Sequence, residues 1–147
     1  MSHIKNLVKR LIHKYKTNDP DTLCKQLNII VIYKDLGKIR GIYQYDTRNQ
    51  LIHVNNILDY HIQRQVLAHE LGHAILHRKI NTVFLDSFTY LSTDRIEIEA
   101  NTFAAELLIG EIDPLEYEGY CLDQIAASLG VHGELLEYKI KALYHQF

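Results

Sequence analysis

From Ile4 to Tyr15 the apolar residues Ile4, Leu7, Val8, Leu11, Ile12 and Tyr15 recur at three- and four-residue spacing. That period winds them into one stripe of a helix and leaves the polar side chains on the opposite face. Asn18-Asp19-Pro20 breaks the pattern and opens a short second helix around Asp21 to Leu27, because proline is at home in a first helical turn. The β-branched run Ile29-Ile30-Val31-Ile32-Tyr33 predicts a buried strand. Gly37 and Gly41 punctuate a turn region. Ile42-Tyr43-Gln44-Tyr45 and Leu51-Ile52-His53-Val54 then predict two strands, joined by a polar hairpin loop from Asp46 to Gln50. Tyr43 and Tyr45 fall on one strand face, opposite Ile42 and Gln44, and are expected to pack in the core.

Beyond the strands the period changes. Asp59 suits the N-cap of a long helix reaching about His77. A polar stretch from Asn81 to Thr93 predicts a connection, and a second strong helix follows from Asp94 to about Ile109. The last third, Leu122 to Tyr144, contains two further helical segments hinged at Gly130-Val131-His132-Gly133. Three short strands followed by helices make the expected class α+β. At 147 residues the chain is expected to form a single domain over 1–147, with a C-terminal helical subregion at about 111–147.

Composition narrows the partners. With 47% hydrophobic and 23% charged residues, large-scale disorder is excluded. The net charge of −2 lacks the basic excess with which a dedicated nucleic-acid binder neutralises phosphates. Lys5, Lys9, Arg10, Lys14 and Lys16 make the N-terminus locally basic, as the solvated face of one helix would. Cys24 and Cys121 form no C-x-x-C pair and are expected to be small core residues. No run of 18 apolar residues exists to span a membrane, and the amphipathic N-terminus lacks the features of a secretory signal. The expected compartment is the cytoplasm.

The chemistry concentrates in Val66-Leu67-Ala68-His69-Glu70-Leu71-Gly72-His73-Ala74-Ile75-Leu76. Residues four apart on a helix lie on one face, so His69 and His73 can reach one metal ion. Glu70 points toward the same cleft without entering the coordination sphere, which suits a general base acting on a metal-activated water. The uncharged neighbours Ala68, Leu71, Gly72, Ala74, Ile75 and Leu76 are the composition a helix buried beside a sheet needs.

A catalytic zinc ion needs a third protein ligand, and the helix after Asp94 offers two glutamates. Glu97 shares a small, apolar face with Ala100, Asn101, Ala104 and Leu108, a face that can lie close to the His69/His73 helix. Glu99 shares a more polar face with Thr102, Phe103 and Glu106. Glu97 is therefore the expected ligand and Glu99 the alternative, with Glu99 and Glu106 otherwise assigned to a solvated face. Asn101, one turn after Glu97, could accept a hydrogen bond from the outer N–H of a ligand histidine. His77 drifts off the ligand face on a helical wheel and reads as a helix-end residue. His53 and His61 read as structural or exposed.

HELGHAILH followed by EIEANTFAAELL resembles the ImmA/IrrE family of zinc metallopeptidases, and the upstream GIYQY, LIHVNN and QRQVLAHELGH segments are similar to it too. The resemblance covers most of residues 20–110. It implies a zincin-like fold, with the active-site helix on a small twisted, mainly antiparallel sheet. It implies one Zn2+ ion held by two histidines and a glutamate, here His69, His73 and Glu97. It implies as partner a helix-turn-helix repressor of a mobile element, phage or stress regulon, often encoded nearby. Leu107-Leu108-Ile109-Gly110 departs from the family by delaying proline to Pro114, which touches no ligand.

The expected function is thus a zinc metallo-endopeptidase of gluzincin type, with the substrate extended along the edge of the 42–54 hairpin. The alternatives are a zinc-bound protein-interaction module and a DNA-binding regulator without proteolysis. The second is prompted by the helix-turn-helix rhythm of Leu122 to Tyr144, but Glu134 and Glu137 in its would-be recognition helix would repel phosphates, so direct DNA binding is not expected.

Overall fold

The computed structural model describes residues 2–85 and 94–144. Helix α1 (Ser2–Tyr15) buries Ile4 and Val8 and rests Leu7, Leu11, Ile12 and Tyr15 against the core, following the sequence stripe. Helix α2 (Pro20–Gln26) starts on Asp19, whose carboxylate accepts from Thr22 N at 3.0 Å. Strands β1 (Ile30–Lys34), β2 (Ile39–Asp46) and β3 (Asn49–Asn55) precede α3 (Tyr60–Leu76), which Asp59 caps through Ile62 N at 3.1 Å. Strand β4 (Thr82–Leu85) and α4 (Arg95–Leu108) follow, the latter capped by Asp94 through Ile96 N at 3.0 Å. A 3-10 turn (Pro114–Tyr117) leads to α5 (Leu122–Leu129) and α6 (Gly133–Tyr144).

The four strands form a mixed sheet in the order β1-β3-β2-β4. β1 runs parallel to β3, while β2 is antiparallel to both β3 and β4. The architecture is α+β and consistent with a zincin-like fold. Several expectations change. The 42–54 hairpin is the centre of the sheet and offers no edge, because β1 and β4 flank it. β1 is itself an edge strand, so Ile30 and Tyr33 are about half exposed instead of buried. β4 lies inside the stretch expected to be a polar connection. Gly41 sits within β2 and not in a turn. The hairpin loop shrinks to Thr47 and Arg48, at φ 49° and 70°. Two consecutive positive φ values match the twist of the strands they join.

Helix α3 packs on β2 and β3 with one side and on α4 with another. Its residues 65–74 are consequently buried all round. Helix α4 is in turn covered by α1 and α6. Leu135 and Leu136 of α6 are fully buried, Lys139 is ion-paired with Glu106 of α4, and the Tyr138 hydroxyl lies 3.3 Å from Thr102 Oγ1. The would-be recognition helix therefore spends its apolar face inside the protein. Cys24 is a core residue, its thiol pushed up to about 12 by burial and the nearby Asp21 and Asp19 carboxylates. Cys121 is exposed at the start of α5, not in the core. Among the described residues no helix is long and apolar enough to cross a membrane.

The α3–α4 crossing is tight where Gly72 meets Phe103. A Cβ at position 72 would lie 3.1 Å from the Cβ and Cδ1 of that fully buried ring. Gly72→Ala is expected to destabilise the fold by about 1–2 kcal/mol, overpacking outweighing the gain in helix propensity. Urea unfolding measures this, and unchanged or raised stability would show that the helices tolerate a wider separation.

Candidate metal centre

Helix α3 presents His69 and His73 on one face, both fully buried. Helix α4 supplies Glu97 between them. His69 Nε2 is 3.0 Å from Glu97 Oε2, and His73 Nε2 is 3.0 Å from Glu97 Oε1. The two Nε2 atoms are 3.2 Å apart. One ligand atom from each residue thus falls within a single cluster less than 4.8 Å across. Donors bonded tetrahedrally at the ~2.0–2.1 Å typical of zinc would be about 3.3 Å apart, close to the spacings found.

The hydrogen bonding supports the same reading. His69 Nδ1 is 2.7 Å from Asn101 Oδ1. An amide oxygen can only accept, so the imidazole proton sits on Nδ1 and Nε2 carries a lone pair. That lone pair faces the Glu97 carboxylate and the His73 ring. Electron pairs converging in a buried site repel one another unless a cation lies among them, and two imidazoles with one carboxylate are a donor set divalent ions favour. Phe84 of β4 stacks on the His69 ring, with centroids 4.0 Å apart, and walls it from one side.

Burial would raise the Glu97 carboxyl, but the His69 and His73 rings that face it outweigh burial and hold it well below the usual carboxylate range. Burial pushes the His73 imidazole down, keeping it neutral and able to coordinate, with Glu97 partly offsetting this.

The alternative ligand Glu99 is not in this cluster. Positions 97 and 99 point to nearly opposite sides of a helix. Glu99 instead lies 3.5 Å from both His77 Nε2 and Arg95 Nε, with its side chain only 14% exposed. Glu106, paired with Lys139, is equally covered. The solvated face expected for these two glutamates does not exist, because α1 and α6 pack over it. His77 stays outside the cluster as well, with its Nδ1 3.0 Å from His73 Nδ1. His61 is exposed and His53 is half-buried in β3.

The family model of the IrrE N-terminal-like domain, a peptidase family, matches residues 24–141. The chain belongs to this family. It is 45% identical over 139 residues to immunity region protein 2 of Bacillus phage phi105, covering 92% of this chain and 88% of that one. It is 34% identical over 146 residues to metallopeptidase ImmA of Bacillus subtilis (strain 168), covering 95% of this chain and 85% of that one. Membership of the IrrE-like peptidases makes the chain a metallopeptidase that works with a divalent metal ion.

In this IrrE-like domain Glu70 is fully buried, and neither carboxylate oxygen has a hydrogen-bond partner among the described residues. Burial first, then the Glu97 charge, push its pKa well above the ordinary value. The Thr82 hydroxyl of β4 works the other way without reaching hydrogen-bond geometry. Gly41 of β2 makes room for this carboxylate. A Cβ there would lie 2.6 Å from Val66 Cγ1 and 3.2 Å from both Cγ and Oε1 of Glu70. Gly41, Thr82 and Phe84 are the neighbours that sequence reasoning missed. Phe84 and Thr82 carried no signal beyond a brief alternation in Thr82-Val83-Phe84-Leu85, and Gly41 was absorbed into a turn.

Asn101→Ala is expected to weaken zinc binding about 10–100-fold, by freeing the outer nitrogen of His69. Asn101→Asp, which keeps an acceptor in place, is expected to lose less. Competition with a chromogenic chelator measures both, and wild-type affinity in Asn101→Ala would remove the orienting role.

Proposed function

We propose that this metallopeptidase is a zinc-dependent endopeptidase that cleaves a helix-turn-helix repressor of a mobile element, phage or stress regulon in the cytoplasm. The observation carrying this reading is the convergence of His69, His73 and Glu97 beside a buried carboxylate, Glu70, whose oxygens have no hydrogen-bond partner among the described residues. A zinc ion held by those three residues would supply Lewis acidity to a water molecule and to the scissile carbonyl. Glu70 does the proton work. One of its oxygens takes the proton from the attacking water and returns it to the leaving amine nitrogen. Burial raises its proton affinity, the direction a base working near neutral pH requires. His69 and His73 act as neutral donors, and Asn101 keeps His69 turned toward the cluster.

An extended substrate segment would add to the sheet at β4, the edge strand that carries Phe84 and Thr82 past the site, and not at the 42–54 hairpin. The repressor as substrate draws on the family resemblance and on the immunity region of a phage, to which one relative's name refers. A purely structural zinc site has no use for an unpaired buried carboxylate and closes its coordination with protein. Glu70 therefore favours the enzyme over a zinc-bound interaction module.

Glu70→Gln is expected to keep zinc while reducing cleavage of a repressor encoded beside this gene by at least about a hundredfold. Chelator should abolish wild-type cleavage, and added zinc should restore it. Gel analysis of the repressor over time reads both. A Glu70→Gln protein as fast as wild type would sink the general-base role, and chelator-insensitive cleavage would sink the metal mechanism.

A further inference from the structure

The two candidates that the metal cluster leaves out, His77 and Glu99, meet each other directly behind His73. His77 Nδ1 is 3.0 Å from His73 Nδ1, within hydrogen-bond reach, and His77 Nε2 is 3.5 Å from Glu99 Oε1, a charge contact that falls short of hydrogen-bond geometry. The His77 side chain is only 8% exposed. Glu99 is held in turn by Arg95 at 3.5 Å and His3 of α1 at 3.9 Å. We propose that His77 and Glu99 are positioning residues for the metal centre: His77 accepts the outer N–H of His73, and the Glu99 carboxylate acts on His77 from behind through its charge. This rests on the reading of His69, His73 and Glu97 as ligands.

Proton placement follows from one constraint. Two imidazole nitrogens 3.0 Å apart make a hydrogen bond only if one carries the proton and the other a lone pair. His73 faces Glu97 and His69 through Nε2, so a ligating His73 keeps its lone pair there and its proton on Nδ1. His77 Nδ1 must then be the acceptor, which places the His77 proton on Nε2, toward Glu99. Each step leaves one choice for the next. The result mirrors the other ligand: Asn101 holds the outer nitrogen of His69, and His77 holds that of His73. A neutral imidazole is a weaker anchor than a carboxylate, and the charge of Glu99 behind it makes His77 a better acceptor. Histidine ligands are held in one tautomer and ring orientation by such outer partners.

The backbone shows why His77 can do this. Helix α3 ends at Leu76, and His77 leaves helical geometry with φ −131° and ψ 48°. Its N–H still bonds to the His73 carbonyl at 2.7 Å, so the ring is anchored one turn below His73 at the helix end. A helical wheel continued through residue 77 keeps it off the ligand set, as found, but does not show the Nδ1 contact with His73.

The full chain, loaded with zinc or cobalt(II), tests the proposal. His77→Ala is expected to weaken zinc binding about 10–100-fold and to shift the cobalt(II) visible spectrum. His77→Asn, whose Oδ1 stands near the place of the lost Nδ1, is expected to recover most of both. Glu99→Gln is expected to cause a smaller, several-fold weakening. Circular dichroism and thermal unfolding of the metal-free variants check that each is folded. Nitrogen-15 NMR of the zinc-loaded wild type needs no substitution: His73 should be the Nδ1–H tautomer and His77 the Nε2–H tautomer. Wild-type zinc affinity and cobalt spectrum in His77→Ala, or a proton on His77 Nδ1, would overturn the proposal. His73→Ala separates this from failure of the site itself. If His73→Ala binds zinc as wild type does, the ligand assignment falls; if only the His77 effects are missing, the ligand assignment stands and the positioning role falls.

Discussion

One carboxylate must touch two imidazoles that sit a helical turn apart on a different helix, and this requires α3 and α4 to pack closely along the site. Gly72 leaves room on α3 for the buried Phe103 ring of α4, and the fully buried Ala100 and Ala104 keep neighbouring positions of α4 small. The same approach strips water from four titratable groups at once. Gathering Glu70, Glu97, His69 and His73 in one dry place is costly without a compensating positive charge. Metal affinity and fold are thus two aspects of one crossing. The sheet beneath α3 and the helices around α4 hold together a set of side chains that would otherwise separate.

The C-terminal helices belong to that support. Helix α6 ties itself to α4 through Lys139 and Glu106 and through Tyr138, whose hydroxyl lies 3.3 Å from both Thr102 Oγ1 and the Ile98 carbonyl. His132 N donates to Gln65 Oε1 of α3 at 2.5 Å. A segment with the rhythm of a helix-turn-helix packs on α4 and sends its buried leucines into the core. Local rhythm describes how two helices are joined and says little about what their surfaces meet.

The metal cluster was legible because helical spacing alone determines which side chains share a face. His69 and His73 came from that rule. Glu97 was separated from Glu99 by the small residues on its face, which signal a close helix pair. Asn101 followed from the same turn. What sequence could not give were features set by long-range packing. β4 spans four of the described residues, and no local pattern tells a short edge strand from a connection. The sheet order depends on β4 adding beside β2, which converts the central hairpin from an edge into an interior. Glu99 and Glu106 looked solvated because nothing local reveals that α1 and α6 cover them. His77 was read as a helix-end residue off the ligand set, and so it is, but its contact with His73 Nδ1 was missed because the wheel assumes a helical backbone where the helix has already ended.

Gly41 is worth following one step further. Its bare Cα is the floor beneath the Glu70 carboxylate, yet it is not among the three residues of the metal cluster. A bulkier residue here, with every histidine and glutamate intact, would press on Val66 and Glu70 while leaving the three-residue cluster untouched. A fingerprint built on the ligands alone would not register that change.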